Sequence, residues 1–204
     1  EDDVVVGGDG NDYVDGDDGD DTVDGGNGDD WVDGWAGVDL AFGGAGNDSV
    51  LGWDGDDTLV GEDGDDTVFG ENGADEMYGS AGLDSILGGN GADTAYGGSG
   101  DDTVLGNSES DELYGDAGAD LLYGGSGNDS ADGGDDDDSV FGDEGNDDLY
   151  GGLGDDTVLG GNGNDFIDVG PGDDSALGGN GDDTIDGGGP GSDDTLLGEA
   201  GADS

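Results

Sequence analysis

Apolar side chains recur at every ninth residue along most of the chain, beginning at Val14 and Val23 and continuing to Ile185. A glycine-rich stretch separates each apolar position from the next. Around each apolar position the side chains should point outward, inward and outward, because successive residues of a β-strand face opposite sides. Glycine is too frequent for a helix, and no period of 3.6 residues is present. We therefore predict three-residue strands that alternate with six-residue turns.

The chain divides into nine-residue units with the consensus G-G-x-G-x-D-x-U-x, in which U is apolar. Twenty such units follow one another from Gly7 to Asp186 without insertion or deletion. Position 1 is glycine except at Val169, and position 4 is glycine except at Glu109 and Asp136. We expect the glycines at positions 1, 2 and 4 to allow positive φ angles and a close approach of the backbone to an ion.

Position 6 is the candidate metal-ligating position, because it is aspartate in all twenty units. Hard carboxylate oxygens without any His or Cys favour Ca²⁺ over softer metals. The candidate ligands are Asp12, Asp21, Asp30, Asp39, Asp48, Asp57, Asp66, Asp75, Asp84, Asp93, Asp102, Asp111, Asp120, Asp129, Asp138, Asp147, Asp156, Asp165, Asp174 and Asp183.

The composition of the chain indicates that metal binding and folding are coupled. The chain has 58 acidic residues and no Lys, Arg or His, and its hydrophobic fraction is 29%. Such values are typical of disordered chains, whereas the apolar residues here are regularly phased. We predict that the chain is disordered without metal and folds when divalent ions neutralise its carboxylates.

The same composition argues against several functions. Without His, Lys or Cys the chain cannot build a nucleophilic triad or a thiolate metal centre. Its negative charge opposes nucleic-acid binding. Paired carboxylates occur in glycosidases, but here they repeat along the whole chain and define no unique pocket. We therefore expect no enzymatic activity. We also expect no transmembrane segment, because no apolar run exceeds three residues.

The nonapeptide resembles the calcium-binding repeat of the RTX (repeats-in-toxin) family. The resemblance implies an all-β fold, a right-handed parallel β-roll (a β-helix or solenoid) with two repeats per turn and about ten turns. It also implies that calcium lies between consecutive turns, with about one ion per repeat. The position-6 aspartates would bridge neighbouring ions, and carbonyl groups of the turns would complete the coordination.

We expect one continuous module over residues 1–204, a segment of a larger polypeptide. Its regular repeats span 7–186, an irregular repeat with two extra residues spans 187–197, and a partial repeat spans 198–204. The units 106–114 and 133–141 also depart from the consensus, so their ion sites and that of 187–197 are expected to differ. Acidic residues at positions 3 and 5 are either extra ligands or a solvated edge, and we favour the edge: Asp18, Asp20, Asp54, Asp56, Asp63 and Asp65.

Position 9 carries an unexpected column of apolar residues that should point outward from one sheet. Its members recur every eighteen residues: Leu51, Phe69, Leu87, Leu105, Tyr123, Phe141, Leu159 and Leu177. The column either stabilises the sheet by cross-strand packing or forms a surface for self-association. Both interpretations remain open at the level of sequence.

These observations indicate a calcium-binding structural module of a secreted bacterial protein, extracellular or on the cell surface. We expect it to serve as an adhesin, fibre or surface-assembly segment. The alternative is the C-terminal, calcium-dependent secretion and folding module of an RTX toxin, protease or lipase. A minor alternative is an ice-binding roll. Such a roll would need a matched column of side chains, and the column of Ser and Thr at position 7 is interrupted by Leu121.

Overall fold

The computed structural model describes residues 1–189 and 193–204, which form two parallel β-sheets and no helix. The strands of the first sheet are β1 (Val4–Asp9), β3 (Thr22–Asn27), β5 (Leu40–Ala45), β7 (Thr58–Asp63), β9 (Glu76–Ala81), β11 (Thr94–Ser99), β13 (Glu112–Ala117), β15 (Ser130–Asp135), β17 (Asp148–Leu153), β19 (Phe166–Asp168) and β21 (Thr184–Asp186). Those of the second are β2 (Tyr13–Asp15), β4 (Trp31–Ala36), β6 (Ser49–Asp54), β8 (Thr67–Asn72), β10 (Ser85–Asn90), β12 (Thr103–Ser108), β14 (Leu121–Ser126), β16 (Ser139–Glu144), β18 (Thr157–Asn162), β20 (Ser175–Asn180) and β22 (Thr195–Ala200).

Each strand pairs only with the strands two before and two after it, so two nonapeptides make one turn of a parallel solenoid. The register is eighteen residues, as in Ile86↔Val104 and Leu87↔Leu105. The predicted parallel β-roll is therefore confirmed. Within the described residues each sheet has eleven strands, one more than the ten turns expected, because β1 and β22 extend the stack beyond the regular repeats.

The strands are longer than the sequence pattern predicted. Most contain six residues, positions 7–9 of one unit and positions 1–3 of the next, and only positions 4–6 form the turn. In β12, for example, Val104 and Gly106 are buried while Thr103 and Leu105 are half-buried. The prediction of three-residue strands was wrong because glycine at position 1 continues the extended, hydrogen-bonded backbone instead of starting the turn.

The core is a single file of position-8 side chains between the two sheets. Nearly all are completely buried: Val14, Val23, Val32, Ala41, Val50, Leu59, Val68, Met77, Ile86, Ala95, Val104, Leu113, Leu122, Ala131, Val140, Leu149, Val158, Ile167 and Ala176. Each strand thus contributes one apolar side chain to the interior. Such a narrow core leaves much of the folding free energy to other contacts.

Glycine serves different purposes at different positions. Positions 2 and 4 have positive φ, for example 109° at Gly98 and 126° at Gly100. Position 1 does not, which corrects our expectation. At Gly97 a Cβ atom would lie 2.6 Å from Oδ2 of Asp102 and 2.8 Å from the carbonyl oxygen of Gly115. Position 1 is therefore glycine because the position-6 carboxylate occupies the adjacent space.

Two exceptions to the repeat occur at positions 1 and 4. Val169 occupies position 1 directly after strand β19, which has only three residues; β2 and β21 are equally short although glycine follows them. At position 4, Glu109 has a φ of 71°, and its Oε2 accepts the N–H of Gly91 at 3.0 Å. The irregular repeat 187–197 includes residues 190–192, which lie outside the described residues.

Candidate metal sites along the two edges

The twenty position-6 aspartates lie in two columns, one at each edge where the chain passes between the sheets. The first column runs from Asp12 to Asp174 and the second from Asp21 to Asp183, both in steps of eighteen residues. Asp12 is half-buried, and the other nineteen carboxylates are buried. The fold therefore brings together all of the predicted site residues, in two stacks.

A hydrogen-bond ladder fixes one oxygen of each carboxylate. From Asp21 onward, Oδ1 of each aspartate accepts the backbone N–H of the aspartate one turn earlier. Asp84 N donates to Oδ1 of Asp102 at 2.8 Å, and Asp102 N donates to Oδ1 of Asp120 at 2.7 Å. This bond determines where the second oxygen points.

The ladders extend beyond the predicted set. Asp174 N donates to Oδ1 of Asp194 at 3.1 Å, and Asp183 N donates to Oδ1 of Asp203 at 3.3 Å. Asp194 therefore takes the role of a position-6 aspartate, although it follows its partner Asp174 by twenty residues rather than eighteen. The sequence signal was present, because Asp-Asp-Thr-Leu-Leu at 193–197 matches positions 5–9 of the repeat.

The second oxygen, Oδ2, is buried and has no hydrogen-bond partner in any of the twenty aspartates. The position-4 carbonyl groups likewise accept none of the backbone hydrogen bonds of the described turns. Each of these carbonyls points toward the position-4 residue of the next turn. If Gly91 carried a Cβ atom, for example, that atom would lie only 1.5 Å from the carbonyl oxygen of Gly73, one turn earlier. Unpaired buried carboxylate and carbonyl oxygens are the donors that a hard divalent cation requires, so the residues present fit calcium.

Carboxylates alone do not complete a coordination sphere. Among the described residues, no group of three or more acidic side chains converges closely enough to hold an ion. Backbone carbonyls must therefore contribute to any calcium site, and the position-4 carbonyls are the available candidates.

Burial raises the pKa of the edge carboxylates. It raises the pKa to about 7 at Asp75, Asp102 and Asp138 and to about 6 at Asp57 and Asp120. The hydrogen bond to Oδ1 opposes this shift, and neighbouring carboxylates increase it. With no Lys, Arg or His in the chain, the buried charge can be compensated by protons or by bound cations.

The acidic residues at position 5 are not simply a solvated edge. Oδ1 of Asp56 accepts the N–H of Ala74 at 2.9 Å, and Oδ1 of Asp65 accepts the N–H of Leu83 at 3.0 Å. Asp20 makes the same bond to Val38. At position 3, Asp54 accepts a hydrogen bond from the side chain of Asn72. These residues connect successive turns on the outer side of the edge.

The outward column at position 9 is in register, as expected, and its members stack along the second sheet. The rings of Tyr123 and Phe141 are 4.7 Å apart. Leu51 is buried and the remaining seven are half-buried, so the column is less exposed than a free apolar patch. Cross-strand packing accounts for this burial, and self-association through the column stays a prediction.

The fold and the unpaired carboxylates along its two edges define a β-solenoid with turns that can bind hard cations. The model for the RTX calcium-binding nonapeptide repeat matches the chain repeatedly, over residues 1–32, 33–68, 51–86, 60–95, 69–104, 96–131, 123–158, 132–167, 159–189 and 191–204. The chain therefore belongs to the family of RTX calcium-binding nonapeptide repeats. No curated protein matches it as a relative. No helix in the described ranges is long and apolar enough to cross a membrane.

Proposed function

We propose that this chain is a calcium-dependent structural module of a secreted bacterial protein, acting outside the cell or at its surface. The observation that carries the proposal is the pair of columns of buried, unpartnered Oδ2 atoms. Calcium would be held by the position-6 aspartates and by carbonyl groups of the turns, at about one ion per repeat. Residues 1–204 would act as one module.

Electrostatics supports coupling between metal binding and folding. Each turn adds two buried carboxylates about 4.8 Å from those of the neighbouring turns. Like charges at that distance repel, and burial in a low-dielectric edge increases both the repulsion and the cost of desolvation. Bound calcium supplies the positive charge that the sequence lacks, so folding and ion binding should occur together.

We further propose that the folded roll serves as an adhesin, fibre or surface-assembly segment. Eleven stacked strands per sheet correspond to a rod of about 50 Å. Its regularity suits a spacer, and nothing in the repeat suggests a catalytic role. The alternative, a secretion and folding module of an RTX toxin, protease or lipase, is supported by the expected disorder of the metal-free chain, because an unfolded chain can pass through a secretion channel. Ice binding is disfavoured, because Leu121 interrupts the column of Ser and Thr side chains at position 7.

Circular dichroism during calcium titration tests the proposal. With excess chelator at pH 7.5 we expect a coil spectrum, and with millimolar calcium a β spectrum. Isothermal titration should give about one ion per repeat, and the same concentration of sodium should not replace calcium. A β spectrum in chelator at neutral pH, or tight binding of only one or two ions, would contradict the proposal.

A second experiment separates assembly from folding. A variant with Leu87, Leu105 and Tyr123 changed to Ser removes the middle of the outward column but leaves the edges intact. If the column mediates fibre formation, the calcium-loaded variant should fold but scatter less light than the wild type. A wild type that stays monomeric at high concentration would favour the secretion and folding module over the fibre.

A further inference from the structure

All three tryptophans of the chain surround one buried carboxylate on the outer face of the second sheet. Asp33 is only 4% exposed, although position 9 faces outward. Tyr13 Oη donates to its Oδ2 at 2.9 Å, Trp31 Nε1 donates to Oδ2 at 3.2 Å, and Trp53 Nε1 donates to Oδ1. Trp35 stacks on Trp53 with ring centroids 5.4 Å apart. We call Tyr13, Trp31, Trp35, Trp53 and Asp33 the tryptophan cluster.

Backbone conformation shows that the fold does not need these tryptophans. Trp35 and Trp53 occupy position 2 with φ of 77° and 78°, values that are unfavourable for a bulky residue. Gly89 holds the equivalent position in the same sheet without a side chain, at φ 119°. Strained backbone that the architecture does not require is an indication of function.

The polar atoms of the cluster are turned toward Asp33. With the Nε1 atoms of Trp31 and Trp53 and the hydroxyl of Tyr13 bound to the carboxylate, the exposed surface of these rings is mainly π face and carbon edge. Tyr13 is 63% exposed, Trp31 43% and Trp35 45%. The hydrogen bond to Asp33 raises the pKa of Tyr13 to about 12, so this phenol remains a donor at physiological pH. Donation to an anion also increases the electron density of the rings, which favours contact with a cation.

Carboxylates flank the aromatic surface on both sides. Along the position-2 column of the sheet, the order of residues is Asp17, Trp35, Trp53 and Glu71, with Trp35 paired to Trp53 and Trp53 paired to Glu71. A concavity of about 500 Å³ beside Trp35 is also lined by Asp17 and Asp18. The N-terminal ammonium of Glu1 lies beside this concavity and donates to the carbonyl oxygen of Asp18. The cluster thus combines exposed π surface with negative charge, and none of its own side chains is cationic.

We propose that the tryptophan cluster is a docking site for an arginine side chain of a partner polypeptide. A planar guanidinium can stack on an indole while its N–H groups reach a carboxylate, which is the combination that Trp35, Asp17 and Glu71 present. The chain has no Arg, Lys or His, so neither this molecule nor a second copy of the chain can supply a guanidinium or any other cationic side chain. A neutral ligand such as a sugar would use the rings but not the flanking carboxylates.

The test uses the calcium-saturated protein at 0.15 M NaCl and a labelled glycine peptide that carries two arginines. Matched peptides carry lysine, or citrulline as the uncharged analogue of arginine. Because every tryptophan lies in the cluster, intrinsic fluorescence reports binding directly, and anisotropy of the label gives the affinity. We expect the citrulline peptide to bind about tenfold more weakly, and the lysine peptide to bind more weakly than the arginine peptide.

The matched variant changes Trp35 and Trp53 to Gly, the residue that position 2 already accepts, so circular dichroism should show an intact roll. We expect it to lose about tenfold in affinity for the arginine peptide, a typical effect of removing stacked cation–π contacts. Tyr96→Leu, in a tyrosine stack on the opposite sheet, is the control and should bind like the wild type. If the double variant bound the arginine peptide as tightly as the wild type does, the peptide would bind at the acidic edges and the proposal would be overturned. Equal binding of the citrulline peptide, or quenching by a neutral oligosaccharide alone, would also overturn it.

Discussion

Replacing Asp102 with Asn separates the two functions of an edge carboxylate. Asn keeps the acceptor Oδ1, to which Asp84 N donates at 2.8 Å, and has nearly the same volume. It replaces the buried, unpartnered Oδ2 with an amide nitrogen, which cannot bind calcium. The substitution therefore leaves the hydrogen-bond ladder in place and removes one proposed metal ligand.

The expected loss can be estimated from binding linkage. A site filled at about 100 times its dissociation constant contributes about 2.7 kcal/mol to folding, so we expect Asp102→Asn to lower the free energy of unfolding by ~2–3 kcal/mol in saturating calcium. Asp102→Ala should lower it by about 1–3 kcal/mol more, because the buried N–H of Asp84 also loses its acceptor. In excess chelator Asp102→Asn should instead favour the roll, because it removes a carboxylate whose pKa burial raises to about 7.

Asp101→Asn is the matched control. Asp101 precedes Asp102 and its substitution makes the same change in charge, but its side chain is exposed and bonds only the N–H of Ala119, at 3.1 Å. We expect a change within about 0.5 kcal/mol. Urea unfolding at saturating calcium and calorimetric counting of bound ions give both quantities. Equal losses for Asp101→Asn and Asp102→Asn would refute the assignment of Oδ2 as a metal ligand.

Three further outcomes are expected. Burial raises the pKa of Asp75 to about 7, above the unfolded value of about 3.9. Its contribution to the metal-free roll is therefore present below about pH 4 and lost as pH rises through about 7. Circular dichroism in chelator should accordingly show more β structure at pH 5 than at pH 8. Gly97→Ala should lower the free energy of unfolding by about 2–4 kcal/mol in urea unfolding, because its Cβ would meet the carboxylate of Asp102; an unchanged unfolding midpoint would contradict this packing. Val169→Gly should leave amide-hydrogen protection at residues 169 and 170 unchanged, because β2 and β21 also end after three residues although glycine follows them; increased protection there would assign the end of β19 to Val169.

Much of the fold was predictable because the information is local and periodic. The nine-residue period placed one apolar residue per strand in the core, and the structure buries Val104 and its equivalents as expected. The invariance of position 6 singled out Asp102 and its equivalents before any contact was known. The pairing of units eighteen residues apart followed from the resemblance to a family, since a nonapeptide alone does not state how many units make one turn.

The tertiary structure decided what depends on contacts between turns. Position 1 is glycine because Oδ2 of the position-6 aspartate lies next to it, and most strands continue through this glycine to a length of six residues. Asp56 supports the turn above through Ala74, a contact that no single unit contains. Asp33 occupies position 9, where later units of the same sheet carry apolar residues. Only the stacking of turns shows that Tyr13, Trp31 and Trp53 converge on it from three turns. The sequence determined the period and the chemistry of each position, whereas side-chain orientation and burial arose when successive turns were stacked about 4.8 Å apart.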